Sequence, residues 1–198
     1  MKESIGVVVL AAGRGSRFRE VAGDDKDKLL ADCTGRDGTV RSVIEHTLAN
    51  LPAALDQRVL VTTADRLQVI RLAQAYGCEI VLIESTGMGD SICAGVTACA
   101  QLDGWLMVLG DMPFISPSSI EQVVAGITED CISVPVQNGD FGHPVGFGRN
   151  FATGLKALSG DRGAKPLFSQ GRVVEVAVED PGVLWDVDVP QALSFSIV

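Results

Sequence analysis

The stretch IGVVVLAAGRGSRF (residues 5–18) joins a continuous apolar run to a loop that holds two glycines and two arginines. The apolar part, residues 5–10, lacks the alternation of a strand with one wet face, so it predicts a strand that is covered on both faces. The glycines let the backbone approach a ligand closely, and the loop N–H groups and arginines can bind phosphate oxygens. Such a loop also has a purely structural interpretation, since it matches neither the Walker A motif nor the dinucleotide fingerprint.

The rest of the chain alternates short apolar runs with stretches of helical spacing. Further strands are predicted at residues 58–62, 79–83, 105–109 and 131–136, and helices at 40–51, 65–76, 89–101 and 117–127. This alternation is typical of a mostly parallel, three-layer α/β sheet, and no linker interrupts it, so we expect one domain over residues 1–198. Asn138-Gly139 predicts a hairpin within residues 136–147 that runs antiparallel to the main sheet, followed by a helix at 151–158 and a strand at 172–178.

Composition limits the partners that this chain can have. A hydrophobic content of 46% over 198 residues supports a substantial core. The net charge of −9, without any run of five Lys or Arg, argues against nucleic acid or an anionic membrane as a partner. The five cysteines are odd in number and form no C-x-x-C pair, which indicates buried thiols in a reducing compartment. The apolar run near the N-terminus has no cleavage site after it, and we therefore expect a cytoplasmic protein.

Two acidic segments add to the loop at residues 11–17. Asp111 follows a predicted strand within LGDMPF (residues 109–114), where a carboxylate held by Gly and Pro suits Mg²⁺ or simply caps a turn. Asp186 and Asp188 lie on the same face of an extended segment, so either could join Asp111 around one metal ion. Ligands bind at the carboxyl ends of strands in open parallel sheets, and these segments are expected at such ends.

Seven motifs appear along the chain in one order: LAAGRGSRF (10–18), KLL (28–30), GMGDS (87–91), LGDMPFI (109–115), GHPVGF (142–147), GDRGA (160–164) and DVDVP (186–190). In this combination the sequence resembles the molybdenum cofactor cytidylyltransferases, which belong to the wider group of MobA-like nucleotidyltransferases. The resemblance implies a Rossmann-like three-layer α/β/α nucleotidyltransferase fold with a mixed, mostly parallel sheet.

The resemblance also implies a reaction. A cytidylyl group would pass from CTP to the terminal phosphate of molybdenum-molybdopterin, with Mg²⁺ as cofactor, giving molybdopterin cytosine dinucleotide and pyrophosphate. CTP is expected rather than GTP because relatives that transfer guanylyl groups usually have a glycine where Ala12 stands. A molybdenum hydroxylase or its chaperone is the macromolecular partner that such a product suggests.

Roles for individual residues follow from the same resemblance. Arg17, Lys28 and Asp111 would be catalytic, and Asp111 and Asp188 would bind the metal, with Lys26 and Asp186 as alternatives for Lys28 and Asp188. The nucleotide would contact Leu10, Ala11, Ala12, Gly13, Arg14, Gly15, Ser16, Arg17, Lys28, Gly87, Met88 and Ser91. The acceptor side would be bordered by Asp186, Gly142, His143 and Pro144.

Other functions remain as alternatives. A related transferase would use GTP or another phosphorylated acceptor, such as a sugar or polyol phosphate. A non-catalytic nucleotide-binding or cofactor-binding module would share the fold, whereas a nicotinamide-dependent dehydrogenase would need the glycine fingerprint that is missing here. Asp65 and Arg66 are expected to form an ordinary helix start.

Overall fold

The computed structural model describes residues 4–85 and 87–195. Within these ranges the strands are β1 (Ile5–Leu10), β2 (Asp32–Thr34), β3 (Val40–Ser42), β4 (Arg58–Thr62), β5 (Glu79–Leu82), β6 (Gly104–Leu109), β7 (Cys131–Gln137), β8 (Asp140–Phe141), β9 (Val145–Gly148) and β10 (Arg172–Ala177). The α-helices are α1 (Ser16–Ala22), α2 (Val43–Ala49), α3 (Leu67–Ala75), α4 (Met88–Ala98), α5 (Pro117–Ala125) and α6 (Ala152–Lys156). Short 3₁₀ helices cover Lys28–Leu30, Arg149–Phe151, Lys165–Gln170, Pro181–Leu184 and Pro190–Leu193.

The main sheet is mixed and mostly parallel, as predicted. Its strand order is β10-β7-β9-β6-β1-β4-β5, and β8 pairs with β7. Strand β1 pairs in parallel with β4 on one side and with β6 on the other. Strand β9 is antiparallel to both β6 and β7, which lie on either side of it. Strands β2 and β3 form a separate antiparallel pair.

Helices cover both faces of the sheet and give three layers. Because side chains alternate along a strand, Val7 and Val9 of β1 face one core, whereas Val8 faces the other. The first core includes residues of α2, α3 and α5, and the second includes residues of α4 and α6. This double coverage explains why the strand sequences are almost continuously apolar.

The helix predicted at residues 40–51 is wrong at its start. Residues 40–42 are strand β3, and α2 begins only at Val43. The boundary is set by a capping box, in which the Ser42 side chain and the Glu45 carboxylate satisfy backbone groups at the helix start. Val40 extended the apolar pattern in the sequence, but its side chain is exposed.

The predicted hairpin at 136–147 is confirmed. Asn138 and Gly139 both adopt positive φ, with values of 54° and 89°, which is the conformation of a two-residue turn whose twist matches the strands. The turn joins β7 to β8, after which the chain returns as β9 between β6 and β7. The segment that follows the hairpin is therefore held inside the sheet.

Four of the five cysteines are buried, and Cys93 is half-buried, which corrects the expectation that all would be buried. All five are free thiols, and burial raises the pKa of Cys33 and Cys78 to about 11. Across the two described ranges, no helix combines the length and apolar character that crossing a membrane requires.

Candidate active site

Three of the predicted site segments meet at the carboxyl ends of β1 and β6. The Gly110 N–H, just after β6, donates to the Leu10 carbonyl at the end of β1 over 3.0 Å. The Val187 N–H donates to the Asp111 carbonyl over 2.9 Å, which brings residues 186–188 to the same edge. Thr47 of α2 also stabilises this arrangement, because its hydroxyl donates to the Gly110 carbonyl over 3.1 Å. Parallel pairing of β1 and β6 therefore assembles segments that are far apart in the sequence.

Lys28 lies between two carboxylates at this edge. Its Nζ is 2.5 Å from Asp111 Oδ2 and 3.2 Å from Asp188 Oδ1. The other carboxylate oxygen of Asp188 accepts a hydrogen bond from Arg17, whose side chain is 75% exposed. Lys26, the alternative to Lys28, instead pairs with Asp25 at the exposed surface. The structure thus brings Arg17, Lys28, Asp111 and Asp188 together and leaves Lys26 outside.

The charges in this cluster shift one another's pKa values. Burial alone would lower the pKa of Lys28, but Asp111 and then Asp188 outweigh burial, and the pKa is raised. For Asp188, partial burial is outweighed by the hydrogen bond and charge of Lys28 and by Arg17, and the pKa is lowered. Asp186 has a raised pKa because of burial and because Asp188 and Asp111 are nearby. Asp188 rather than Asp186 therefore presents the better-stabilised negative charge.

The donor set at this edge fits a hard divalent cation. Over residues 4–85 and 87–195, no group of three or more His, Cys, Asp or Glu side chains is arranged to hold a metal unaided. Asp111 and Asp188 nevertheless converge on one cation, the Lys28 ammonium. Mg²⁺ commonly takes only one or two carboxylates from a protein, with waters and substrate phosphates completing its octahedron.

A cavity of about 280 Å³ opens beside this cluster. It is lined by eight of the predicted site residues, Leu10, Ala11, Ala12, Gly13, Lys28, Met88, Ser91 and Asp111. Leu29, Leu109 and Asp161 line it as well and were not among the predicted site residues. The cavity therefore lies between the loop after β1, the start of α4 and the end of β6.

The remaining predicted nucleotide-binding residues lie around this cavity without lining it. Arg14 is exposed on the loop, and Ser16 is exposed at the start of α1, which also carries Arg17, so the predicted loop at residues 11–17 ends before Ser16. Gly15 has a φ of 63°, and a Cβ there would meet the Lys28 side chain at 3.4 Å. Gly87 allows close approach of another segment, because a Cβ at this residue would lie 2.5 Å from the Gly160 carbonyl oxygen.

The segment that includes Gly160 is fastened to the start of α4. The Gly89 N–H donates to the Gly160 carbonyl over 2.8 Å, and the Gly160 N–H donates to Asp90 Oδ1 over 3.1 Å. These bonds hold residues 160–164 beside both cavities, where Asp161 lines the smaller one and Gly163 and Ala164 line the larger one.

A second cavity, of about 580 Å³, adjoins the first. The two cavities share Leu10, Met88 and Leu109 as lining residues. The remaining walls come from α4, β6 to β9 and the segment after Gly160, namely Ile92, Met107, Val134, Phe141, Gly142, His143, Val145, Phe147, Gly163, Ala164, Lys165, Pro166, Phe168 and Ser169. Most of these residues are apolar. This cavity therefore differs in chemistry from the edge of the sheet that carries Arg17, Lys28, Asp111 and Asp188, which we call the charged edge.

The predicted acceptor-side residues divide into two groups. Gly142 and His143 line the larger cavity, whereas Pro144 is buried beside it and Asp186 lies with the acidic cluster. Burial lowers the pKa of His143, although Asp111 opposes this shift. His143 Nδ1 is buried and has no hydrogen-bond partner in the part of the chain that the structure describes.

Arg66 is a residue that the sequence prediction missed. It was expected at an ordinary helix start, but its guanidinium bonds to the carbonyls of Ala11 and Gly13 in the loop after β1. Its side chain is only 8% exposed. No sequence signal marks this contact, because the partners are backbone carbonyls more than 50 positions away.

Comparison with solved structures places the fold among nucleotidyltransferases. A nucleotidyl transferase from Methanothermobacter thermautotroptrophicus (Mth528) superposes with a TM-score of 0.80 at 22% identity, covering 97% of this chain and 94% of that one. Rv0371C from Mycobacterium tuberculosis H37Rv, solved as a complex with manganese, gives a TM-score of 0.67 at 26% identity over 88% of both chains.

Curated sequences give a more distant similarity. The bifunctional protein GlmU of Prochlorococcus marinus (strain MIT 9313) is 27% identical over 152 residues, which is 75% of this chain and 32% of GlmU. The chain thus spans about a third of the length of the curated relatives that it matches. A family profile described as the MobA-like NTP transferase domain matches residues 7–176, from β1 to β10. With the glycine loop, Lys28, Asp111 and most of the chain inside that match, the protein belongs to the MobA-like NTP transferase family of nucleotidyltransferases.

Proposed function

We propose that this nucleotidyltransferase transfers a cytidylyl group from CTP to the terminal phosphate of molybdenum-molybdopterin, with Mg²⁺ as its cofactor. The products are molybdopterin cytosine dinucleotide and pyrophosphate. The observation that carries the proposal is the ion-pair cluster of Lys28, Arg17, Asp111 and Asp188, of which Lys28 and Asp111 line the smaller of two adjoining cavities. One cavity suits the nucleotide, and the other suits an acceptor with a flat ring system.

The smaller cavity supports binding of the base and ribose. Ala11 and Ala12 are both nearly fully buried and form one wall, and Met88 and Ser91 stand on α4. A methyl group at residue 12 occupies volume that a glycine would leave free. A difference of this size in a tight pocket is typically worth about 1–3 kcal/mol of discrimination, so it supports the smaller pyrimidine over a purine.

The charged edge supports the transfer step. The acceptor phosphate oxygen attacks the α-phosphorus of CTP, and the bond to the bridging oxygen breaks as pyrophosphate leaves. Negative charge builds on the phosphate oxygens and the leaving group, so cations positioned in advance contribute most of the catalysis. Lys28 and Arg17 supply two such cations. A bound divalent metal, held by Asp111 and Asp188, would neutralise further phosphate charge.

The ion pairs that Lys28 and Arg17 form with Asp111 and Asp188 support the assignment of these two carboxylates as metal ligands. Lys28 and Arg17 pair directly with Asp111 and Asp188, so both carboxylates already face cations. Asp111 and Asp188 would hold a divalent metal, which would supply further positive charge next to the phosphates. The manganese complex of Rv0371C shows that a structural relative binds a divalent cation.

The larger cavity favours a planar ring over a sugar or polyol in the acceptor. Phe147 and Phe168 pack edge to face with centroids 6.4 Å apart, and Phe141 lies against Phe168 at 5.9 Å. Lys165 is the charged side chain in this lining. A polyol would bury hydroxyl groups against aromatic carbon and lose hydrogen bonds to water, whereas a flat pterin can stack on such walls.

The alternatives differ in what they require of the charged edge. A non-catalytic binding module would not need two carboxylates and two cations clustered beside the nucleotide cavity, and this clustering favours a transferase. A handover of the product to a molybdenum hydroxylase or its chaperone, in the cytoplasm, completes the proposal.

Pyrophosphate release tests the proposal directly. The wild-type protein, Mg²⁺ and molybdenum-molybdopterin are incubated with each of the four NTPs, and the dinucleotide product is identified by mass spectrometry. We expect CTP to exceed GTP in kcat/KM by about tenfold or more, since one methyl group in a tight pocket discriminates on that scale. Reactions without acceptor give the background from NTP hydrolysis. Preference for GTP would reject the cytidylyl assignment, and turnover with sugar phosphates but not with the pterin would reject the acceptor.

A further inference from the structure

Arg66, the residue just before α3, connects the start of this helix to the backbone of the loop after β1. Its Nη1 donates to the Ala11 carbonyl over 3.2 Å, and its Nη2 donates to the Gly13 carbonyl. The Ala11 carbonyl also accepts from the hydroxyl of Thr62, at the end of β4, over 3.1 Å. Residues at the end of β4 and the start of α3 therefore hold the loop through its carbonyl groups, independently of the loop's own side chains.

These contacts determine which way the loop amides point. In a trans peptide unit the C=O and the following N–H point in opposite directions. Carbonyls of Ala11 and Gly13 that face Arg66 therefore direct the N–H groups of Ala12 and Arg14 away from it. Ala11, Ala12 and Gly13 line the smaller cavity and Arg66 does not, so the guanidinium holds the loop from behind.

Arg66 also reaches the segment that carries Lys28. Its Nη1 is 3.7 Å from Asp27 Oδ2. The other carboxylate oxygen, Asp27 Oδ1, accepts a hydrogen bond from the Leu29 N–H over 3.0 Å. This second bond caps the 3₁₀ helix Lys28–Leu30, whose Lys28 contacts Asp111. One nearly buried guanidinium thus joins the base-side loop to the helix that bears the phosphate-side lysine.

We infer that Arg66 is a positioning residue for nucleotide binding, which fixes the loop backbone at residues 11–13 and its spacing from Lys28. The inference rests on the nucleotidyl transfer proposed above. Arginine suits this role because its planar fork can donate to two carbonyls while its charge pairs with a carboxylate, whereas lysine presents a single point charge. Arg66 does not line either cavity, so it acts through the loop and not on the substrate.

Arg58, the first residue of β4, offers a matched control. Its guanidinium also bonds to backbone carbonyls, those of Leu55, Tyr76, Leu51 and Pro52, at 2.6 to 3.4 Å. Neither cavity includes Arg58 in its lining. Loss of either arginine should lower thermal stability, but only loss of Arg66 should affect the nucleotide.

The experiment compares Arg66→Ala and Arg66→Lys with Arg58→Ala and Arg58→Lys, using the NTP that wild-type protein turns over fastest. We expect Arg66→Ala to raise the KM for NTP about tenfold or more, since hydrogen bonds to charged groups are worth about 1.5–3 kcal/mol. The acceptor KM should stay within about twofold, and the KM for NTP in Arg66→Lys should lie between wild type and Arg66→Ala, because lysine replaces part of the fork. The Arg58 variants should keep the wild-type KM for NTP even where they melt at lower temperature.

Three results would overturn the inference. They are an unchanged KM for NTP in Arg66→Ala, an equal rise in Arg58→Ala, or an equal rise in the acceptor KM. If Arg66→Ala does not fold, Arg66→Lys decides by the same comparison with Arg58→Lys. A wild-type preference for GTP would reject the cytidylyl proposal alone, because the Arg66 comparison then proceeds with GTP.

Discussion

Replacing Asp111 by Asn is expected to lower kcat by about a thousandfold or more, because it removes a charge at the point where we propose that the metal and the phosphates bind. The variant keeps the side-chain shape and leaves the backbone bond from Val187 to the residue 111 carbonyl in place. Asp188 still pairs with Lys28, so the fold should persist with a melting temperature close to that of wild type. Steady-state pyrophosphate release across a range of Mg²⁺ concentrations measures the effect.

Asp25→Asn is the matched control for this variant. Asp25 lies three residues before Lys28 in the sequence, but its side chain is exposed and pairs with the exposed Lys26. Its replacement should leave kcat and the Mg²⁺ dependence unchanged. If Asp111→Asn retained more than about a tenth of the wild-type kcat, Asp111 would not carry the metal role, since loss of one essential electrostatic group costs far more than this.

Replacing Asp180 by Ala is expected to destabilise the protein by about 3 kcal/mol, because it leaves several buried hydrogen-bond donors without their acceptor. The Asp180 side chain is only 4% exposed. It accepts hydrogen bonds from the Ser116 N–H, the Ser119 hydroxyl and the Gly182 N–H, and it pairs with Arg36 at 2.5 Å. One carboxylate thus joins the start of α5 to the segment that leads to Asp186 and Asp188.

Equilibrium unfolding in urea measures this loss, and Asp130→Ala supplies the comparison. Asp130 pairs with Arg172 at 3.3 Å, and both side chains are exposed. Surface pairs of this kind are worth about 0–1 kcal/mol. A loss below about 1 kcal/mol for Asp180→Ala would show that the buried network contributes little to stability.

The sequence predicted the central strands well because their physical signal is local. Strands β1 and β4 have the bounds that were predicted for them, residues 5–10 and 58–62. Helix starts were harder to place, since they depend on capping. Val40, two residues before Ser42, made the apolar pattern of the helix begin too early. The capping box at Ser42 ends β3 and starts α2.

The position of β9 could be predicted only in part. The Asn138-Gly139 turn indicated an antiparallel return, and the structure confirms it. The insertion of β9 between β6 and β7 depends on tertiary pairing, for which the local pattern carries no signal. The larger cavity depends on that insertion, because β9 contributes Val145 and Phe147 to its wall.

At the candidate site, the sequence identified the chemical groups better than their arrangement. Both Lys26 and Lys28 were candidates for the lysine that contacts phosphate. In the structure, Asp27 caps the 3₁₀ helix that begins at Lys28, so Lys26 lies outside this helix. The contact of Arg66 with the loop was not predicted, because its partners are backbone carbonyls. Such contacts place no demand on the side-chain types at Ala11 and Gly13, so no sequence pattern records them.

A crystal structure of the protein with CTP and Mn²⁺ tests the central claim most directly. Anomalous scattering locates the metal, and the electron density of the nucleotide locates the base. We expect the manganese to be coordinated by Asp111 and Asp188, Lys28 to contact a phosphate, and the cytosine ring to lie against Ala12 in the smaller cavity. Manganese bound elsewhere, or a nucleotide base in the larger aromatic cavity, would contradict the proposed division of the site into nucleotide and acceptor halves.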